Sequence, residues 1–101
     1  MPTIHVALQE GFEGDTVIVL LDGAEVFYKD NLKTRMQIGK AASFDLPNIS
    51  GPHELRFDLI SRNTRVNIPV TVTGSDKYVG ISITRHGDIA HTISDEPFRY
   101  A

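Results

Sequence analysis

The sequence predicts an all-β fold, a single-domain antiparallel β-sandwich over residues 1–101. Apolar residues recur at every second position through most of the chain, which is the strand period rather than the helical one. Turn-forming residues fall roughly every 8 to 12 positions, as in sandwiches of short strands. The length suits one domain with one hydrophobic core. We therefore expect about 7–9 strands, ending in a four-stranded meander.

The most informative stretch is a β-hairpin over residues 16–30, with a type I′ turn at Asp22-Gly23. A two-residue turn there divides the arms into two apolar faces. One face holds Val17, Val19, Leu21, Val26 and Tyr28, and the other holds Ile18, Leu20 and Phe27. Because both faces are apolar, either this chain or another molecule must cover the second one. Within the chain, the candidates for that cover are Phe12, residues 29–40, Phe98 and Tyr100.

Residues 29–40 have no clear period. We expect a helical turn near 30–34 and a short strand over 35–38 that directs Met36 and Ile38 to the core. Alternating residues then predict a strand over 42–46, which ends at Pro47.

The C-terminal meander is predicted over residues 53–94 and would form one sheet, with the N-terminal strand, the hairpin and strand 42–46 in the other. Two-residue turns at 62–63 and 75–76 and a three-residue loop at 86–88 keep the apolar rows in register, with Ile83 opposite His91. Pro69 lacks an N–H donor and therefore marks a bulge or an edge strand, which conflicts with a central place for residues 65–73.

Two segments resemble the small β-sandwich modules of the PEGA and carboxypeptidase-regulatory-like type. The strand entering residues 22–26 is similar to their V-x-V-x-x-D-G-x-x-V hairpin, and residues 46–57 are similar to their L-P-x-G-x-H-x-L-x-V step. The Thr-Pro step that usually follows the hairpin in those modules is replaced here by residues 29–40. The resemblance implies a prealbumin-like or Ig-like module that mediates contacts and carries no catalytic residues.

Composition narrows the possible partners. The net charge is −3, from 10 basic and 13 acidic residues, and the charges are scattered, so we expect no nucleic-acid partner. Cysteine is absent, which excludes disulfides and thiolate metal sites. No secretory signal or membrane-length apolar run is visible, so we expect a cytoplasmic protein without membrane insertion.

Chemistry-bearing clusters are sparse. His86, Asp88 and His91 lie on one predicted hairpin and form a legitimate ligand set for Zn²⁺ or another divalent metal. A metal-dependent enzyme centred on them is the lowest alternative, because the register places His91 on the inward row while His86 lies in the loop. The sequence has no nucleophile elbow and no glycine-rich phosphate loop. We therefore predict no enzymatic activity and no cofactor.

The predicted function is a non-enzymatic binding or assembly module. Its interface candidates are Ile18, Leu20 and Phe27 on the 16–30 hairpin, through which the chain would contact a protein partner or a second copy. The alternative is a carbohydrate or small-ligand module that uses an open sheet face. The candidates for that face are Arg56, Asn67 and Tyr78.

Overall fold

A computed structural model describes residues 2–35 and 37–98 and confirms the all-β prediction. The described chain contains eight strands and one short 3₁₀ turn. In order they are β1 (Ile4–Leu8), β2 (Glu13–Leu21), β3 (Ala24–Lys33), β4 (Ala42–Leu46), β5 (Gly51–Leu59), the 3₁₀ turn (Ile60–Arg62), β6 (Thr64–Val72), β7 (Lys77–Ile83) and β8 (Ile89–Ser94).

The strands form two four-stranded sheets that enclose one core. The first sheet has the order β4-β1-β7-β8, and the second has the order β3-β2-β5-β6. All pairs between the described strands are antiparallel except β1 with β7, which is parallel. Alternate residues of both sheets point inward, so Val17 and Phe57 from one sheet and Ile4 and Ile81 from the other are fully buried.

The predicted meander over residues 53–94 is wrong. β5 and β6 belong to the second sheet, whereas β7 and β8 belong to the first, so the chain crosses the core at the bend over residues 73–75. Alternation could not reveal this crossing, because an inward residue faces the same core from either sheet. Asp76 fixes the crossing, since its carboxylate accepts the backbone N–H of Thr3 at 2.9 Å and ties the start of β7 to β1.

The hairpin turn forms where it was predicted, but the register of its second arm differs. Asp22 and Gly23 both have positive φ, at 50° and 89°. Beyond Glu25 the pairing shifts by one residue, so that Val19 lies opposite Phe27 rather than Val26. This β-bulge exchanges the faces of Phe27, Tyr28 and Lys29, and a second register shift between Lys29 and Leu32 returns Leu32 to the buried side.

The bulge changes the surroundings of the hairpin residues. Tyr28, predicted to share a face with Val17, is 52 % exposed on the outer face. Residues 29–33 continue β3 and are not a helical turn. Residues 37–39 form a turn, and an isolated bridge joins Arg35 to Lys40; Ile38 is 41 % exposed rather than in the core. Met36 lies outside the described residues.

The structure resolves the conflict at Pro69. This residue lies in β6, which is an edge strand of the second sheet, and is opposite Glu54 of β5. Proline is compatible with an edge strand because no further strand requires its missing donor.

Candidate interaction site

The predicted interface residues do not share one face. Ile18 and Leu20 lie half-buried on the outer face of the second sheet. Phe27 points to the core side and stacks on Phe44 of β4, with ring centroids 4.4 Å apart and planes at 7°. The prediction that Phe27 joins Ile18 and Leu20 is therefore wrong, and the cause is the bulge after Glu25.

The predicted ligand face is also divided. Arg56 and Asn67 are cross-strand partners on the outer face of the second sheet, and Arg56 forms a bidentate ion pair with Asp58 at 3.0 Å. Tyr78 lies on the first sheet, where it stacks on His5 with ring centroids 4.6 Å apart. The three residues cannot contact one ligand together, because the crossing between β6 and β7 separates them.

The predicted metal hairpin has a longer loop than expected. Ile83 pairs with Ile89, and His91 pairs with Ile81, so residues 84–88 form a five-residue loop. His91 stays on the same side of the strand as Ile89 but is exposed, because β8 is the outermost strand of its sheet. The described residues contain no group of three or more His, Cys, Asp or Glu side chains placed to hold a metal ion.

An ion pair between a buried carboxylate and a half-buried arginine joins the start of β2 to the 3₁₀ turn. Asp15 is 4 % exposed and accepts hydrogen bonds from Arg62 Nε and Nη2, both at 2.9 Å, and from the Ser61 hydroxyl at 2.7 Å. Burial alone would raise the pKa of Asp15, but the bonds from Arg62, the Glu13 amide and Ser61 together lower it. Local sequence patterns do not indicate this pair, because its members are 47 residues apart.

A second tie is centred on His5. Its Nδ1 contacts Asp45 and its Nε2 contacts Asp76, each at 2.8 Å, while Tyr78 covers one face of the ring. Burial lowers the pKa of His5, but the hydrogen bonds to Asp76 and Asp45 outweigh it, so the pKa is raised. The imidazole thus links β1, β4 and the segment before β7.

This arrangement predicts a pH-dependent stability. Because the pKa of His5 is higher in the folded state, its contribution is complete below the unfolded value near ~6.5 and is lost as the pH rises through the folded value. The urea midpoint should therefore fall above about pH 6.5, and His5→Gln should reduce that fall. His86→Gln, which removes an imidazole from the exposed 84–88 loop, is the control and should keep the wild-type decline. If the urea midpoint of His5→Gln fell with pH as much as that of wild type, His5 would not be the source of the pH dependence.

A third tie fixes the hairpin turn to β5. His53 Nδ1 contacts the Asp22 carboxylate at 2.5 Å, and His53 Nε2 contacts the Ser50 carbonyl at 2.9 Å. The hydrogen bond to Asp22 raises the pKa of His53, and the same bond lowers the pKa of Asp22. Neither His5 nor His53 has a ring nitrogen free to abstract a proton from a substrate.

A shallow pocket lies beside the His5 tie, on the outer face of the first sheet. It has a volume of about 200 Å³, and its lining includes His5, Lys40, Asp45, Tyr78 and Phe98. The tail therefore returns over this sheet as far as Phe98, and the predicted contribution of Tyr100 lies outside the described residues. Aromatic and charged side chains together suit a small polar ligand.

Three of the four sheet edges carry features that oppose pairing with another strand. β3 contains Lys29 and Lys33 and has register shifts along its length. β6 contains Arg65 and Pro69, and β4 is only five residues long and contains Asp45. Charged residues, proline, bulges and short length are the usual means by which sheet edges avoid association.

β8 (Ile89–Ser94) differs from these edges. Among the described edge strands it alone has neither proline nor an acidic or basic residue other than histidine, and it pairs with β7 without a register shift. Its central residues 90–93 are exposed, and Ile93, on the core side, is 41 % exposed. β8 therefore presents a regular, uncharged edge, and no other described strand pairs with its outward backbone N–H and C=O groups.

Comparisons with known proteins add no further assignment. No protein-family model, no curated protein and no solved structure matches this chain. The resemblance to PEGA-type modules therefore stays a prediction. In the part of the chain that the structure describes, no helix has the length and apolar character needed to cross a membrane.

Proposed function

We propose that this protein is a non-enzymatic binding or assembly module, and that it binds an extended protein segment along β8 by strand addition. The observation that carries the proposal is the contrast between β8 and the three other edges. An added strand would form main-chain hydrogen bonds with β8, while side chains on alternate residues supply specificity. Ile89 and Ile93, on the core side of β8, offer it apolar contacts.

The surroundings of the ionisable groups support a non-enzymatic role. Asp15, His5 and His53 each join separate elements, and their polar atoms are engaged in those ties. Groups used in this way stabilise the sandwich. They are poorly placed for general acid–base catalysis, which requires a nitrogen or oxygen within reach of a substrate proton.

The alternative function is binding of a small polar ligand, such as a carbohydrate. The observation in its favour is the pocket that contains Tyr78 and Phe98, because half-buried aromatic rings beside charged groups suit sugar-like molecules. Of the predicted ligand residues, only Tyr78 belongs to this pocket.

One experiment separates these functions. Peptides selected from a random nine-residue display library, and a glycan panel, would be titrated into the ¹⁵N-labelled protein. We expect selected peptides to shift the amide signals of residues 89–94. Ile93→Lys, which places a charge on the edge, should weaken their binding at least tenfold, a loss of about 1.4 kcal/mol. Ile60→Lys is the matched control, because Ile60 is exposed to a similar extent, 47 % against 41 % for Ile93.

Other outcomes would overturn the proposal. Shifts centred on Ile18, Leu20 and Tyr28 would place binding on the outer face of the second sheet. Shifts around His5 and Tyr78 on addition of a glycan, with none from peptides at β8, would favour the small-ligand function.

A further inference from the structure

The side chains of β8 are symmetric about His91. The core-side residues two positions before and two positions after His91 are both isoleucine, Ile89 and Ile93. The intervening outer-face residues, Ala90 and Thr92, are both small. A strand with this symmetry presents the same pattern to an antiparallel copy of itself.

Antiparallel pairing selects one register. Residues directly opposite each other must point to the same face of the sheet. A two-fold axis at His91 sets Ile89 opposite the second copy's Ile93, and so forms two isoleucine pairs. An axis at Thr92 would instead set Ile89 opposite the second copy's Asp95 and bury an isoleucine against a carboxylate. The axis at Ala90 would leave Ile93 opposite the second copy's Gly87.

The charges beyond the strand ends agree with this orientation. Arg85, His86 and Asp88 precede β8, whereas Asp95 and Glu96 follow it. With the axis at His91, antiparallel pairing places Arg85 of one copy close to Glu96 of the other, and this contact between opposite charges favours association. Asp95 is already bonded to Lys77, but the side chains of Arg85 and Glu96 form no ion pair or hydrogen bond within the described chain.

We propose that β8 pairs with β8 of a second copy about a two-fold axis at His91. This pairing joins the first sheet of one copy to the first sheet of the other as one continuous sheet. This inference rests on the proposed function, because it names the occupant of the β8 edge. It replaces the 16–30 hairpin as the surface of self-association. The core-side row Ile89, His91 and Ile93 then continues across the dimer instead of ending at solvent.

Cysteine cross-linking tests the position of the axis, since the native chain contains no cysteine. His91→Cys places two thiols directly opposite each other, at a Cα separation of about 4.5–5.5 Å, within the span of a disulfide. Ala90→Cys is the matched control, because Ala90 is also exposed but its own copy lies at a diagonal position about 8 Å away, beyond that span. Under mild oxidation we expect His91→Cys to form a covalent dimer at least tenfold faster than Ala90→Cys.

Two further experiments extend the test: cross-linking between two different cysteine variants, and exchange of the charges at residues 85 and 96. Ala90→Cys mixed with Thr92→Cys should form the heterodimer, because these residues are opposite each other in the proposed register. In sedimentation equilibrium, wild type should dimerise reversibly. Arg85→Glu and Glu96→Arg should each weaken dimerisation severalfold, and the double variant should recover it.

The results also separate this inference from the function on which it rests. If wild type stays monomeric up to about 1 mM and His91→Cys cross-links no faster than Ala90→Cys, the second copy is not the occupant. In that case library peptides that still shift residues 89–94 would preserve the binding function. Peptides that bind elsewhere would overturn both.

Discussion

Arg62→Met is expected to lower the free energy of unfolding by about 3 kcal/mol, measured by urea denaturation at pH 7. The substitution keeps most of the apolar stem of the side chain and removes its charge. Asp15 is 4 % exposed and would be left without its bidentate partner. Removing the cation leaves a buried carboxylate whose desolvation is no longer offset. The resulting loss of stability is larger than the net stabilisation that the intact pair provides over apolar residues.

The local architecture adds to this cost. Arg62 Nη2 also donates to the Gly11 carbonyl at 3.2 Å, and the Ser61 hydroxyl accepts the Thr16 amide at 3.2 Å. The ion pair therefore holds together the loop before β2, the start of β2 and the 3₁₀ turn. A double-mutant cycle that combines Arg62→Met with Asp15→Asn would measure the coupling free energy between the two charged groups.

The matched control for this prediction is Arg56→Met. Arg56 also forms a bidentate pair with an aspartate, Asp58, but both lie on the same strand and both side chains are more exposed, 40 % and 18 % against 30 % for Arg62 and 5 % for Asp15. Solvent screens such a pair, so its loss should cost less than about 1 kcal/mol. If Arg56→Met and Arg62→Met lowered the free energy of unfolding equally, burial of Asp15 would not explain the cost of losing its partner.

The effect of Arg62→Met should also depend on pH. The pKa of Asp15 is lowered in the folded protein, so its stabilising contribution is present above the unfolded value of about 3.9 and is lost as the pH falls through the folded value. In the variant, protonation of Asp15 removes the unpaired charge. The difference in unfolding free energy between wild type and Arg62→Met should therefore narrow below about pH 4.

Gly11→Ala is expected to destabilise the protein by about 3 kcal/mol or more, because it combines backbone strain with a backbone clash. Gly11 has a φ of 91°, and a Cβ atom there would lie 2.1 Å from the carbonyl oxygen of Ile83. That oxygen cannot rotate away as a flexible side chain would. The end of β7, or the whole loop before β2, would have to move.

Gly23→Ala isolates the strain from the clash. Gly23 has nearly the same φ, 89°, but a Cβ atom there would have no neighbour within 4 Å. It should cost only the 1–3 kcal/mol that an unfavourable positive φ typically costs a residue with a side chain. Urea denaturation of both variants gives the difference, and an unfolding free energy for Gly11→Ala equal to that of Gly23→Ala would show that the close approach to Ile83 is easily relieved.

The sequence predicted the features that depend on neighbouring residues. The Asp22-Gly23 turn forms as expected, because only a few residue types tolerate two successive positive φ angles. The parity of the apolar rows is also correct in β5 and β6, where Leu55 and Ile68 are both buried and opposite each other. Turn lengths were predicted less well, and both later hairpins have longer loops than expected.

The candidate site was predicted only in part. Ile18, Leu20, Arg56 and Asn67 lie on an outer face as expected, but the bulge after Glu25 turns Phe27 inward. A bulge adds one residue to one strand, and the apolar pattern of the hairpin is compatible with the register before or after that addition. The period of the sequence therefore could not predict the bulge. The β8 edge was visible in the sequence as an uncharged segment, but its position at the edge was not.

By itself, the sequence determined that the chain forms short strands, which residues of β1, β2 and β5–β7 point to the core, and where the tightest turn lies. These properties follow from local backbone preferences and from the two-residue period of a strand. Only the tertiary structure decided which sheet each strand joins, that β1 and β7 run parallel, and that β8 is the edge without charge or proline. The physical reason is that both sheets face one core, so inward burial is satisfied equally by either assignment. The choice between them comes from long-range contacts such as those of Asp76 with β1 and of Asp15 with Arg62.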